Sequence, residues 1–238
     1  MVSDGGGLRQ RVKTARGRTA SSNRWLERQL NDPYVKRAKA ENYRSRAAYK
    51  LLELDERFAL LKGVKAVIDL GITPGGWSQV VRRRAPQAKI VGIDLLSTEP
   101  IEGVEILEMD FMDDSAPAKL QAALGGPADL VLSDMAANTV GHPRTDHLRT
   151  MGLVEAALEF ATQALGTGGA FVAKVLAGGA DSNLVAELKR HFTKVKHAKP
   201  PASRKSSSEW YVVAQGFKGL HHPGEGRDLG ETGASSPS

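Results

Sequence analysis

The chain has 238 residues, 41% hydrophobic and 25% charged, which allows one globular domain with a real core plus extensions. It contains no cysteine, excluding disulfides, thiolate metal sites and cysteine nucleophiles, and no apolar run approaches the roughly 20 residues of a membrane span. The net charge of +6 is uneven: residues 1–50 hold 13 Lys+Arg against 4 Asp+Glu, a net of +9, and the remainder 20 against 23, a net of −3.

Residues 1–22 are rich in Gly, Ser, Thr and Arg and read as the core of a flexible basic arm, bounded at 1–30. With no apolar stretch the start is not a secretory signal. A bacterial cytoplasmic protein is expected, and the arginine-rich, acid-poor start leaves a mitochondrial transit peptide as the alternative. Charge concentrated in this way suits a polyanion, nucleic acid first, and the competing explanation is a solubilising tail.

From about Asn42 to Leu61 the apolar residues Ala47, Leu51, Leu54, Phe58 and Leu61 recur at helical spacing behind Ser45, a candidate N-cap. Strands and helices then alternate. Strands are predicted at 64–70, 88–96, 104–110, 128–135 and 169–176, and helices at 77–85, 118–124, 147–165 and 182–192. Two further strands, 193–199 and 209–217, are joined by a loop too short for a helical crossover, so that pair is predicted antiparallel.

The fold class is therefore α/β: a Rossmann-like, seven-stranded, mostly parallel sheet with one antiparallel strand and helices on both faces, the arrangement of S-adenosylmethionine-dependent methyltransferases. The domain is set at 31–218, and 219–238 reads as a disordered tail. His221 and His222, adjacent in that tail without partner ligands, are not taken as a metal site, and none is expected elsewhere.

The loop after the first strand, DLGITPGGW, carries Gly71, Gly75 and Gly76, with Pro74 stiffening the turn. In a doubly wound sheet the ligand lies beyond the carboxyl ends of the strands, and glycines let backbone approach it closely. Asp94 ends the second strand, placed for the two hydroxyls of a ribose. Asp110 ends the third, placed for an adenine amino group, with Phe111 beside it. A dinucleotide fingerprint needs Gly-x-Gly-x-x-Gly. Here Thr73 replaces the second glycine, which favours an adenosyl amino acid over a pyrophosphate. Trp77 and Leu95 are counted to the same site.

The segments SRAAYKLLELDERF, DLGITPGGWSQVV, IDLL, MDFMDD, SDMAANTVG, FVAKVL and FTKVKHAKPPASRKSSSEWYVVAQGFK, running in order from about Ser22 to Lys218, resemble the FtsJ/RrmJ family. The resemblance implies a ribose 2′-O-methyltransferase of large-subunit ribosomal RNA that uses S-adenosylmethionine, with a uridine as the family's target and the assembled large subunit as partner. A monomer is expected. It also implies a catalytic set on Lys50, Asp134, Lys174 and Glu209, with Asp134 counted to the cofactor site as well. The chain departs from the family at Ile72-Thr73, where Ala-Ala is usual, and at Ala137, where Pro is usual.

A ribose hydroxyl is a poor nucleophile near neutral pH, so the chemistry calls for a positioned base. Lys174 is expected to be that base, its pKa lowered by the neighbouring ammonium of Lys50. Asp134 would orient the hydroxyl and Glu209 fix a lysine or the ribose. Phosphate contacts are expected from Arg37, Arg44 and Arg46 before the site, and from Lys194, Lys196, Lys199, Arg204 and Lys205 between the last two strands. RNA is preferred over DNA because the reaction needs a 2′-hydroxyl. The rivals are methylation of transfer RNA or a cap, a non-catalytic ribosome-assembly factor, and a nicotinamide-dependent dehydrogenase.

Overall fold

The structure, a computed structural model, describes residues 19–137, 141–176 and 182–219. The remaining residues, including His221 and His222, lie outside it, and the expected arm is described only from Thr19 onward.

The chain opens with two helices, α1 (Ala20–Asn31) and α2 (Pro33–Ala40), followed by α3 (Ala48–Phe58). The sheet strands and their helices come next in alternation: β1 (Ala66–Leu70), α4 (Gly76–Arg84), β2 (Lys89–Asp94), β3 (Val104–Glu108), α5 (Ala116–Leu124), β4 (Ala128–Ser133), α6 (Pro143–Ala164), β5 (Leu165–Leu176) and α7 (Ser182–His191). Two strands close the fold, β6 (Phe192–Ala198) and β7 (Glu209–Phe217).

Among the described residues the strands form one seven-stranded sheet in the order β3-β2-β1-β4-β5-β7-β6. β7 runs antiparallel to both β5 and β6, and the other neighbouring pairs are parallel. This is the sheet predicted, with its single reversed strand. Its central strands are apolar on both sides because both faces are covered. Ile68, Leu70, Val91, Ile93 and Val131 pack with Leu120, Leu158 and Leu184 of α5, α6 and α7. Val67, Ile90, Leu130 and Leu132 pack with Leu51, Leu54, Val80 and Val81 of α3 and α4.

The differences from prediction have local causes. α1 and α2 hide in a basic, low-hydropathy segment, yet each has a side-chain N-cap. Thr19 Oγ1 accepts from the Ser22 amide at 3.2 Å, and Asp32 Oδ1 accepts from the Tyr34 amide at 3.0 Å ahead of Pro33. Ser45 does not cap α3. That helix starts after Ala47 with no side-chain cap, and the Ser45 hydroxyl is buried without a hydrogen-bond partner. Its far end stops at Ala59, whose left-handed φ of 53° ends the helix short of Leu61. β5 begins at Leu165, which the helical pattern of α6 had claimed, and a register shift between Ala128 and Leu130 takes up the early start.

Candidate active site

The parallel strands β1, β4 and β5 all end at one edge of the sheet, and β7, running the other way, begins there. Pairing places Ser133 beside Ala173, Lys174 beside Tyr211 and Leu176 beside Glu209. Asp134, the first residue past β4, therefore emerges next to Lys174. Side chains alternate along a strand, so Glu209 and Tyr211 share one face, the one on which α3 packs and brings in Lys50.

The four polar residues that the resemblance singles out, Lys50, Asp134, Lys174 and Glu209, lie together. Lys174 Nζ lies 3.1 Å from Asp134 Oδ1 and also donates to the Asp134 backbone carbonyl at 2.5 Å. Lys50 Nζ is paired with Glu209 Oε1 and lies 4.0 Å from Asp134 Oδ2. The order is Glu209, Lys50, Asp134, Lys174, with alternating charge, and all four side chains are at most 20% exposed. The ionic partners of Lys50 are the two carboxylates, so its charge is tied to them.

Sequence reasoning missed Tyr211 because its segment reads simply as an apolar strand; the i, i+2 relation to Glu209 was the available signal. Its buried hydroxyl lies 2.8 Å from Asp134 Oδ1 and also contacts Glu209 Oε1, and with one proton it donates to one carboxylate at a time. Burial first, then the two carboxylates, push the phenol well above its ordinary pKa, so it stays neutral.

Next to this cluster lies a cavity of about 320 Å³ lined by Gly71, Thr73, Asp94, Asp110, Phe111 and Asp134, among others. Asp134 belongs to both the cavity and the charged cluster. Leu95 also lines it but is 65% exposed, and Met135 and Leu153 are lining residues that the sequence reading did not reach. Asp94 is held by backbone amides: Oδ2 accepts from Thr73 at 3.0 Å and Oδ1 from Leu96 at 2.9 Å. Asp110 Oδ1 accepts from Met112 at 2.9 Å. Each carboxylate keeps spare lone pairs for a ligand.

The glycines of the loop are packed closely against other parts of the protein. A Cβ on Gly71, whose φ is +80°, would stand 2.9 Å from Met135 Cγ; one on Gly75 would meet Ile101, and one on Gly76 the Ser45 hydroxyl. All three approach protein atoms, and only Gly71 also borders the cavity. Pro74 faces a neighbouring cleft beside α1 and α2. Trp77 is a core residue: it is 3% exposed, donates from Nε1 to the Ala47 carbonyl at 2.8 Å and tilts against Tyr211.

The departures from the family pattern at Ile72 and Thr73 are accommodated locally. Ile72 is buried over Gly92, where a Cβ would collide with its Cδ1, and Thr73 Oγ1 donates to the Leu96 carbonyl at 3.0 Å.

Asp69, on β1 behind the loop, was read only as part of a strand. It is 1% exposed, its Oδ2 accepts from Ser78 Oγ at 2.7 Å and its Oδ1 has no hydrogen-bond partner. Burial pushes its carboxyl up to about 7 against the Ser78 hydrogen bond, with Asp134 and Asp94 adding to the rise.

The expected phosphate ligands divide. Arg46 and Arg204 both pair with the buried Asp32, and Arg46 also donates to the Ala202 carbonyl. Arg44 donates to three backbone carbonyls around the glycine loop. Lys199 donates to the Ser207 carbonyl at 2.6 Å, 5.9 Å from the centre of the Trp210 ring. Arg37 pairs with Glu41 on an exposed helical turn and lies over the Tyr49 ring. Lys194, Lys196 and Lys205 are exposed.

Residues 43–217 match the family model of the FtsJ-like methyltransferases. The chain is 76% identical over 210 residues to the ribosomal RNA large subunit methyltransferase E of Novosphingobium aromaticivorans, covering 88% of this chain and 95% of that one. The protein of the same name from Zymomonas mobilis is 71% identical over 215 residues, covering 90% and 97%. Among solved structures, a protein assigned as a ribosomal RNA methyltransferase from Plasmodium falciparum superposes with a TM-score of 0.67 at 35% identity, covering 75% of this chain and 100% of that one.

Proposed function

The chain belongs to the FtsJ-like methyltransferase family, and from that premise we propose that it methylates a ribose 2′-hydroxyl, that of a uridine, in large-subunit ribosomal RNA. S-adenosylmethionine is the donor, the assembled large subunit the substrate, and the protein works as a monomer in the bacterial cytoplasm. The observation that carries this reading is the position of Asp134, shared between a row of two lysines and two carboxylates and a cavity with carboxylates at the ends of two further strands.

The cavity fits the donor in kind. Asp94 would accept from the ribose hydroxyls and Asp110 from the adenine amino group, with Phe111 and Leu153 supplying apolar wall. When bound, S-adenosylmethionine supplies an electrophilic methyl group on a sulfonium. The protein's part is to hold the RNA hydroxyl beside it and take its proton. Lys174, in its amine form, accepts that proton. Asp134, in contact with Lys174, orients both the lysine and the hydroxyl, and Tyr211 and Lys50 hold Asp134 and Glu209 in place. Lys194, Lys196 and Lys205 have charge to offer RNA phosphates, whereas Arg37 is paired with Glu41, and Arg46 and Arg204 shape the surface through Asp32.

The test is incubation with methyl-labelled S-adenosylmethionine and large subunits, free ribosomal RNA or transfer RNA, from cells lacking the protein. Label is expected in the large subunit, at one 2′-O-methyluridine mapped by resistance to alkaline cleavage. Label confined to transfer RNA, or on a base, would overturn the assignment, as would stoichiometric RNA binding without transfer.

A further inference from the structure

Arg44 precedes the catalytic helix α3 in a basic stretch whose composition alone suggests phosphate contact, but its surroundings are backbone carbonyls. Nη1 donates to Pro74 O at 3.3 Å and to Glu99 O at 2.5 Å, and Nη2 donates to Pro100 O at 2.7 Å. The backbone amide of the same residue donates to Gln79 Oε1 at 2.7 Å, and Gln79 Nε2 returns to Asn42 O at 3.2 Å. The stretch before α3 is thereby fixed to α4, and the guanidinium reaches across to two loops. One is the glycine loop after β1. The other connects β2 to β3 and begins with Leu95 and Leu96, both of which line the cavity.

The two loops interlock where Arg44 holds them. A Cβ on Gly75 would collide with Ile101 Cδ1 and lie 3.4 Å from Arg44 Nη1. At that joint Gly75 has a φ of +105°, so a side chain there would be strained and would have to displace Ile101. Three of the five N–H donors of the guanidinium are spent on the three carbonyls, and its planar fork is the geometry that a single ammonium lacks.

We infer that Arg44 is a positioning residue for the methyl donor: it clips the β2–β3 loop to the glycine loop and so sets the wall of the donor cavity, and it is not a phosphate ligand. The inference rests on the proposed function for the identity of the donor. It goes beyond that reading by linking the segment that carries Lys50 to the donor loops, so that RNA-side and donor-side elements share one fastening.

The test separates donor binding from RNA binding in Arg44→Ala, Arg44→Lys and Arg44→Gln. Calorimetry with S-adenosylmethionine should show a dissociation constant raised about ten-fold in the Ala and Gln variants, the scale of one lost charge-assisted hydrogen bond. Lys, which keeps the charge without the fork, should recover only part of this. The KM for the donor should rise with kcat at saturating donor little changed, and amide exchange in residues 97–103 should speed up in the donor-free protein. RNA affinity and its salt slope should match the unaltered protein. Unchanged donor affinity in a folded variant, with RNA affinity lowered and the salt slope reduced by the equivalent of about one phosphate, would overturn the inference and make Arg44 a phosphate ligand. An unaltered protein that takes up no donor would overturn the proposed function and this inference together. Normal donor uptake with equal affinity in all variants would overturn this inference alone.

Discussion

At the scale of single residues, the site brings together groups that would be costly alone. Lys174 and Asp134 are both mostly buried, and breaking such a pair leaves an uncompensated charge. A side chain that only held charge there would tolerate arginine, whereas a base would not, because a guanidinium keeps its proton at usable pH. Lys174→Arg is therefore expected to cut single-turnover methyl transfer by at least about 100-fold, the low end for loss of a general base, with donor affinity unchanged. A variant that keeps most of the rate would make the lysine an electrostatic clamp and move the base elsewhere. Asp69 gives a pH prediction that needs no activity. Its folded-state pKa, about 7, lies above the ordinary 3.8, so between those values the native state holds a proton that the unfolded chain does not. The stability this contributes is fully present below about pH 4 and is lost as pH rises through 7, with a ceiling of about 4 kcal/mol from a three-unit shift. Asp69→Asn should flatten this dependence and melt higher than the unaltered protein at pH 8. Urea melts at pH 5 and pH 8 showing the same pH dependence in both proteins would refute it.

Among elements, what could be read from the sequence depended on whether the signal was local. The strands β1, β2, β4 and β7 were legible because burial on both faces gives continuous apolar runs, and Asp94 and Asp134 could be placed because they end or follow such runs, whereas Asp110 comes after the edge strand β3, in which charged residues interrupt the apolar ones. The glycine loop gave its own position, but not that Gly75 and Gly76 make room for Ile101 and Ser45, which lie far away along the chain. The roles of Arg44, Arg46 and Arg204 were illegible for the same reason. A basic residue in a basic stretch looks like a phosphate ligand until its carboxylate or carbonyl partner is seen. Asp32 is that partner for two of them, and it caps α2 as well, fastening the N-terminal helices to the loop between β6 and β7. Asp32→Ala loses the cap and strands two guanidiniums, one of them 31% exposed and therefore partly relieved by water. A loss of about 2–3 kcal/mol is expected, below the usual range for a fully buried pair. Asp32→Asn keeps the capping oxygen and should recover about 1 kcal/mol of that. Equal urea midpoints for the two variants would show that the ion pairs carry the whole effect and the cap none.

For the whole molecule, charge is segregated: +9 in residues 1–50 and −3 in the rest. Part of that excess is neutralised within the fold, since Arg37 and Arg46 have carboxylate partners and Arg44 is engaged by carbonyls. Residues 1–18 carry five Arg or Lys against one Asp, so they hold much of the cationic charge left for a polyanion. The cut matters, because α1 begins at Ala20 and its Leu26 and Leu30 line the cleft beside Pro74. Deletion of 1–30 would confound loss of charge with loss of a packed helix, whereas deletion of 1–18 removes charge and leaves Thr19 as the cap. If those residues meet phosphates, removing them should lower RNA affinity at low salt and reduce the slope of log K against log salt by about 0.7 for each phosphate of single-stranded RNA no longer neutralised. Affinity for the methyl donor should be unaffected, because among the described residues none that lines the cavity precedes Gly71. A steep, unchanged slope after deletion would assign the RNA contacts to the folded surface around Lys194, Lys196 and Lys205 and leave the first eighteen residues a solubilising role.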